Sequence, residues 1–236
     1  MSTRTLGRIV GALFLLAFVV YMAGGALVDG AAGRPPELEQ AGSSTTLIAT
    51  GAVLMLANSA IVAAIGVLMF PVLRQRHEIT ACAYLATRMF EAVLLAVGVL
   101  CLLLLIPLAH AYSSASGAEA EVLTSLADVA QQGNQYALHI GMIGLGLGSL
   151  LFCRALLRTG LVPGFMAVWG LVGYATLAAG ETLALLGYDV GMFHYAPGGL
   201  FEVSLGLLLV IRGFPIGRPA PAADTAAETP EVSVVH

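Results

Sequence analysis

The segment from Ile79 to Ile106, ITACAYLATRMFEAVLLAVGVLCLLLLI, is long and apolar enough to cross a lipid bilayer. It nevertheless carries Arg88 and Glu91 near its middle. A charged side chain at the centre of a bilayer costs about 2.5–3.5 kcal/mol on insertion scales. Residues three positions apart share one face of a helix, so these two charges can neutralise each other inside a bundle. The same face, which we expect to turn inward, also carries Tyr84, Leu95 and Gly98.

The rest of the chain is equally apolar. Of its 236 residues, 58% are hydrophobic and only 10% are charged, whereas about a quarter of a soluble domain is charged. We therefore predict an all-α membrane protein, a polytopic bundle of six transmembrane helices within residues 1–213, followed by a disordered cytoplasmic tail at 214–236. The predicted helices are Arg8–Val28, Thr46–Leu73, Ile79–Ile106, Gln135–Leu157, Pro163–Gly187 and Gly198–Gly213.

The arginines are distributed unevenly between the two ends of these helices. If six helices alternate in direction, one side of the membrane receives eight arginines and the other receives Arg34 alone. Basic residues accumulate on the cytoplasmic side, so we expect both termini to be cytoplasmic. The eight are Arg4, Arg8, Arg74, Arg76, Arg154, Arg158, Arg212 and Arg218, and the acidic residues expected on the outer side are Asp29, Glu37, Glu39, Glu119, Glu121, Asp128 and Asp189.

Two stretches between the predicted spans have patterns of their own. Asp29–Thr45 has the composition of an outer loop. In the longer stretch between helices three and four, EAEVLTSLADVAQQG places Val122, Leu126 and Val129 on one helical face, with Gly133 at the position of a C-terminal cap. We predict a short amphipathic helix here, lying on the outer membrane surface.

Composition also excludes several kinds of chemistry. The chain has no lysine, which excludes a Schiff base to a lysine amine, and it has no basic patch of the kind that binds nucleic acid. Its three cysteines form no CxxC motif, and no cofactor motif is present. The glycines of GLGLG at 144–148 lie inside a predicted spanning helix, so they indicate close helix packing and not a phosphate-binding loop.

Four separated motifs resemble a known family. They are GRIVGALFLL at the start of the first helix, RMFEAVLLAVGVL in the third, LLRTGLVPGFMAVWGLVGYATLAAG across the fourth and fifth, and PGGLFEVSLGLLLVIRGF at the end of the sixth. They are similar, in this order, to bacterial six-pass membrane proteins grouped as domain of unknown function DUF4386. The resemblance runs from about Arg8 to Phe214. It implies six helices and a location in the bacterial cytoplasmic membrane, and it implies no particular activity.

Polar side chains on other predicted helices extend the pattern begun by Arg88 and Glu91. His139, Glu181 and Glu202 each lie about 6–9 Å below the outer boundary at 1.5 Å per residue, so we expect them in one layer. Asn58 is predicted near mid-membrane, at the depth of Glu91. Together the six residues predict a polar cleft that opens outward and closes over Arg88. His194, in the outer loop before helix six, could join its mouth.

Three functions are compatible with such a cleft. The leading hypothesis is binding or transport of a small solute, or a proton relay through these carboxylates and His139, and the small size of such a transporter suggests a homo-oligomer. The alternative is a structural or interaction protein whose buried polar residues only hold the bundle together. The third is a metal-dependent intramembrane hydrolase using His139, Glu181 and Glu202, although HExxH and GxSxG motifs are absent, so that enzyme activity is the least favoured.

Overall fold

The computed structural model describes residues 2–34, 36–75 and 77–214, with the backbone alone described at Thr159. Over these residues the chain contains helices and no strand, as the sequence predicts. The helices are α1 (Thr3–Ala32), α2 (Leu38–Ser43), α3 (Thr45–Arg74), α4 (Glu78–Leu103), α5 (Leu105–Tyr112), α6 (Ala118–Thr159), α7 (Gly164–Leu185) and α8 (Tyr195–Arg212).

Six helical spans in the described residues are long and apolar enough to cross a membrane. They are α1, α3, α4 continued by α5, α6, α7 and α8. Many of their large apolar side chains point away from the protein, among them Val19, Val67 and Val97. A surface this apolar needs lipid as its solvent. The prediction of an integral membrane protein with six spanning helices is confirmed.

The six spanning helices form a closed ring. Each packs against the spanning helices before and after it in the chain, and α8 closes the ring against α1. Neighbouring helices run antiparallel: at the junction of α4 and α6, Gly133 lies opposite Cys101 and Gly144 lies opposite Phe90. The ring therefore has two chemically different ends. The arginine-rich end carries Arg4, Arg8, Arg74, Arg154, Arg158 and Arg212, and the acidic end carries Asp29, Glu37, Glu39, Glu119, Glu121, Asp128 and Asp189.

Two short helices cover part of the acidic end. α2 packs against α5, and both contribute to an apolar cluster with α1, α3, α4 and α6. α5 is separated from α4 because Pro107 has no N–H to donate to the carbonyl of Leu103, the residue at which α4 ends. The segment Asp29–Thr45, predicted as a loop, consists instead of the last turn of α1, a short connection and α2.

The prediction that a short amphipathic helix ends at Gly133 is wrong. Residues 119–132 are helical, but they continue without a break into the fourth spanning helix as the first part of α6. Gly133 does not adopt the left-handed conformation of a C-terminal cap. Its missing side chain instead allows α4 to come close, because a Cβ at this position would lie 3.1 Å from Cys101 Sγ. The predicted apolar face, Val122, Leu126 and Val129, is exposed.

The sixth spanning helix starts earlier than predicted. α8 begins at Tyr195, three residues before Gly198, and includes Pro197 in its first turn. Proline is tolerated there because the first N–H groups of a helix have no intrahelical partner. Phe214, predicted as the first residue of the tail, is buried next to Gly7, and residues 215–236 lie outside the described part of the chain.

The interior of the ring differs between its two halves. Towards the arginine-rich end it is filled by one apolar core to which all six spanning helices contribute, including Phe14, Phe152 and Phe201. The apolar cluster at the acidic end draws on α1 to α6 and receives nothing from α7 or α8. Glu181 of α7 and His194 at the start of α8 therefore lie in a part of the ring that neither helix fills with residues of this cluster.

Candidate functional site

Arg88 lies at the centre of the first polar cluster, the Arg88 network. Its guanidinium donates from Nη1 to Glu91 Oε2 at 2.8 Å and from Nη2 to Glu202 Oε1 at 3.2 Å. Its Nε donates to the hydroxyl of Tyr84 at 3.0 Å. The hydroxyl of Tyr174 donates to the same Glu202 oxygen at 2.6 Å. In the ring order, α4 and α8 face each other, so Arg88 joins opposite walls across the interior.

Every spanning helix contributes to this network. Phe14 of α1 lies under the guanidinium, with its ring centre 5.2 Å from Cζ, and Phe152 of α6 stacks on Tyr84. Gly66 of α3 leaves room for the arginine stem, since a Cβ there would lie 2.7 Å from Arg88 Cβ. Arg88 is only 2% exposed. The network is thus an aromatic-lined ion pair in the middle of the ring, with Arg88 buried and the Glu202 side chain 14% exposed.

The second polar cluster, the Glu181 cluster, consists of His139, Glu181 and His194. Glu181 of α7 is completely buried, and its two oxygens contact imidazoles from two other helices. His139 Nδ1 of α6 lies 2.5 Å from Oε2, and His194 Nε2, at the start of α8, lies 2.9 Å from Oε1. The histidine side chains are 20% and 11% exposed, whereas in the Arg88 network Arg88 and Glu91 are 2% and 5% exposed and Glu202 is 14% exposed.

Polar residues lead from the acidic end towards His139. Gln135 lies one helical turn before His139 on α6, and Asp128 and Gln132 precede it on the same side of that helix. A depression of about 380 Å³ opens at this end. It is lined by Arg34, Asp128, Gln131, Gln132 and Gln135.

Apolar packing separates the two clusters. Glu181 and Tyr174 are seven residues apart on α7, which corresponds to about 10 Å along the helix axis. Leu177 of α7 and Leu145 of α6 belong to the apolar core and are both buried. Along their helices they lie between the depths of the two clusters. No hydrogen bond between described side chains connects Glu181 with Glu202. The predicted relay through all four titratable residues is therefore not formed as one chain of contacts.

The single layer predicted for His139, Glu181 and Glu202 is wrong. Glu202 belongs to the Arg88 network, because α8 starts three residues earlier than predicted and Glu202 lies correspondingly deeper, by about 4.5 Å. His194 takes the predicted place of Glu202 beside Glu181. The alternative metal set of His139, Glu181 and Glu202 is accordingly not assembled, and the described residues contain no group of three His, Cys, Asp or Glu suited to a metal ion.

Of the other predicted positions, those on α4 lie where expected, whereas Asn58 does not join a cluster. The inward face of α4 is confirmed, since Tyr84, Arg88, Glu91, Leu95 and Gly98 are all buried. Asn58 is buried on α3 as expected, but its side chain hydrogen-bonds to neither cluster within the described residues. The role of Tyr174 was missed in the sequence analysis, because a lone tyrosine in an apolar helix forms no pattern and its partner, Glu202, is on α8.

Comparison with known proteins gives one match. The model of a family described as Domain of unknown function (DUF4386) matches residues 9–213. This range includes both polar clusters and all six spanning helices except the first turns of α1. No curated protein and no solved structure matches the chain.

Proposed function

The chain belongs to the DUF4386 family, and on that premise we propose that it binds a proton or a small cationic solute at Glu181, as the first step of transport. The depression at the acidic end, which is lined by polar side chains of α6, supports an approach to Glu181 from that end. The observation that supports this proposal is the fully buried Glu181 carboxylate, which lies between His139 and His194 from two other helices. The side chains of both histidines are partly exposed.

The chemistry of the Glu181 cluster suits a positive charge. Imidazole is the side chain that most readily changes its charge near neutral pH. A buried carboxylate requires a positive or hydrogen-bonding partner, and either histidine could provide one by taking up a proton. A protonated amine could do the same in place of that proton. Titratable groups placed inside a membrane domain generally belong to proton or solute pathways.

The Arg88 network lies on the side of Glu181 away from the acidic end. It lies about 10 Å further into the ring, in the dense part of the core, and it ties α4 to α8. We propose that a solute reaches Glu181 from the acidic end in this conformation. Transport then requires a second conformation in which the contacts around Arg88 rearrange.

We further propose that residues 1–213 form one membrane domain in the bacterial cytoplasmic membrane, with the arginine-rich end and both termini in the cytoplasm. The distribution of arginines between the two ends supports this orientation. A Ser116→Cys variant, with Cys82, Cys101 and Cys153 replaced by alanine, should react with a membrane-impermeant thiol reagent in spheroplasts. Labelling only after the membrane is permeabilised would contradict the orientation.

The function is tested with the purified full-length chain in liposomes that contain a pH-sensitive dye. With an imposed proton gradient and a potassium ionophore to remove the membrane potential, the protein should carry protons faster than protein-free liposomes. Glu181→Gln should abolish this excess rate, whereas Glu119→Gln, at an exposed position in the first turn of α6, should retain it. The same experiment is repeated with small primary amines added outside, which should increase the rate if they are the solute.

A rate equal to that of protein-free liposomes, with and without amines, would contradict transport. An unchanged rate in Glu181→Gln would contradict the role of the Glu181 cluster and favour the alternative that the polar residues only hold the bundle together. One observation supports that alternative for the Arg88 network, since side chains or backbone from all six spanning helices meet there.

A further inference from the structure

The Arg88 network contains one cation and two carboxylates, and from this imbalance we infer that Glu91 and Glu202 hold one proton between them. The network is then a second proton-binding site, distinct from the Glu181 cluster and electrically neutral. This inference does not depend on the proposed function, because it rests only on the charges and contacts of the Arg88 network itself.

The groups that surround the two carboxylates leave the charge uncompensated. Arg88 is the only cation in contact with either of them within the described residues. The titratable groups facing the network are Tyr84, Arg88 and Glu91 from α4, Cys153 from α6, Tyr174 from α7 and Glu202 from α8. α1 and α3 present the ring of Phe14 and the backbone at Gly66.

With both carboxylates ionised, the centre of the ring would carry one net negative charge. An uncompensated charge buried in a membrane domain is strongly unfavourable. One proton removes it and leaves a guanidinium, one carboxylate and one carboxylic acid. The two tyrosine hydroxyls and the Cys153 thiol are neutral groups, so they supply dipoles but cannot cancel a full charge.

The hydrogen bonds leave a place for this proton on each carboxylate. Glu202 Oε1 accepts from both Tyr174 and Arg88, and Glu91 Oε2 accepts from Arg88. The other oxygen of each side chain, Glu202 Oε2 and Glu91 Oε1, accepts no hydrogen bond within the described residues. A proton can occupy either position without displacing an existing donor.

The position of the proton determines which ion pair is strong. With the proton on Glu91, Arg88 is paired with the ionised Glu202 and joins α4 to α8 across the ring. With the proton on Glu202, the ion pair lies within α4, between Arg88 and Glu91. Transfer of one proton between the two carboxylates therefore strengthens or weakens a contact between opposite walls of the ring.

Infrared spectroscopy of the full-length protein in lipid tests this inference. Wild-type protein at neutral pH should show the C=O stretching band of a buried carboxylic acid. Both Glu91→Gln and Glu202→Gln should lose that band, because the remaining carboxylate is then balanced by Arg88 and stays ionised. Glu181→Gln and Glu119→Gln are the matched controls, and both should retain it. Absence of the band in wild type, or its persistence in both network variants, would overturn the inference.

Thermal unfolding provides a second measurement. Each single glutamine variant keeps the network neutral, so its Tm should stay close to that of wild type. The double variant leaves Arg88 without a carboxylate, and its loss in Tm should be several-fold larger than the sum of the two single losses. A single variant that does not fold, or a double variant whose loss equals that sum, would contradict one shared proton.

Discussion

The Arg88 network and the Glu181 cluster each pair glutamate with a basic side chain, but in different surroundings. Arg88 is enclosed by Phe14, Tyr84 and Tyr174 in a core to which every spanning helix contributes. Glu181 is equally buried, but its two histidine partners are partly exposed and lie near the acidic end. A polar group inside a membrane protein can thus be fixed by the bundle or left accessible from one side.

This difference separates stability from function. Loss of Arg88, or of a donor to its carboxylates, leaves a charged group without a partner, so such changes should mainly affect folding, whereas Glu91→Gln and Glu202→Gln keep the charges balanced. Groups in the Glu181 cluster can rearrange towards the acidic end, so changes there should mainly affect binding. Four substitutions, Arg88→Gln, Tyr174→Phe, Gly66→Ala and Glu181→Gln, should show this separation as a decreasing loss of stability.

Removal of the central cation should have the largest effect. Arg88→Gln leaves buried carboxyl groups without their ion-pair partner, and such losses cost about 3–5 kcal/mol. Arg34→Gln is the matched control, because Arg34 forms an exposed ion pair with Asp29 that should contribute about 0–1 kcal/mol. Unfolding in detergent by denaturant measures both. Similar losses in the two variants would show that the Arg88 network is not a special centre of stability.

Removal of one neutral donor to the network should have the next largest effect. Tyr174→Phe takes away the hydroxyl that donates to Glu202, and a hydrogen bond to a charged group contributes about 1.5–3 kcal/mol. Tyr188→Phe provides the comparison, since Tyr188 is exposed in the loop after α7. If Tyr174→Phe unfolds at the same denaturant concentration as Tyr188→Phe, the hydroxyl contributes nothing to the network.

Extra volume should be poorly tolerated at the network. In Gly66→Ala the new methyl group would meet Arg88 Cβ, close to the rigid backbone of α4, and overpacking of this kind costs about 1–3 kcal/mol. Gly25→Ala, on the open surface of α1, adds the same atoms where nothing lies within 4 Å. We expect it to be neutral or slightly stabilising, because alanine favours the helix. Equal Tm values for the two variants would contradict close packing around Arg88.

Neutralisation of the Glu181 cluster should have the smallest effect on stability. In Glu181→Gln the amide can still hydrogen-bond to both imidazoles, so we expect a change of about 0.5–1.5 kcal/mol, well below that of Arg88→Gln. Unfolding by denaturant in detergent measures both variants. A loss as large as that of Arg88→Gln would show that the two clusters do not differ in their contribution to folding.

The elements predicted best from the sequence are those with a pattern inside one helix. The inward face of α4 follows from the spacing of Arg88, Glu91 and the residues around them, and the buried side chains confirm it. The two ends of the ring follow in the same way from the distribution of arginines. Such features depend on helical geometry alone, which is the same in every protein.

The features that depended on contacts between helices were not predictable. Gly133 has the sequence pattern of a helix end, and only the position of Cys101 on α4 shows that it is a packing glycine. The depth of Glu202 depends on whether Pro197 precedes α8 or lies in its first turn, and both are compatible with proline. An error of one turn was enough to assign Glu202 to the wrong cluster.

The central claim is that the Glu181 cluster is reached from the acidic end while Arg88 and the neighbouring Cys153 are enclosed by the bundle. Two single-cysteine proteins test it directly with a small impermeant thiol reagent added to that side. One contains His139→Cys with the three native cysteines replaced by alanine, and the other retains Cys153, which is fully buried beside Glu202, as its single cysteine. We predict that the cysteine at position 139 reacts and that Cys153 reacts only after unfolding. Reaction of Cys153 in the folded protein at a comparable rate, or protection of position 139, would contradict the account.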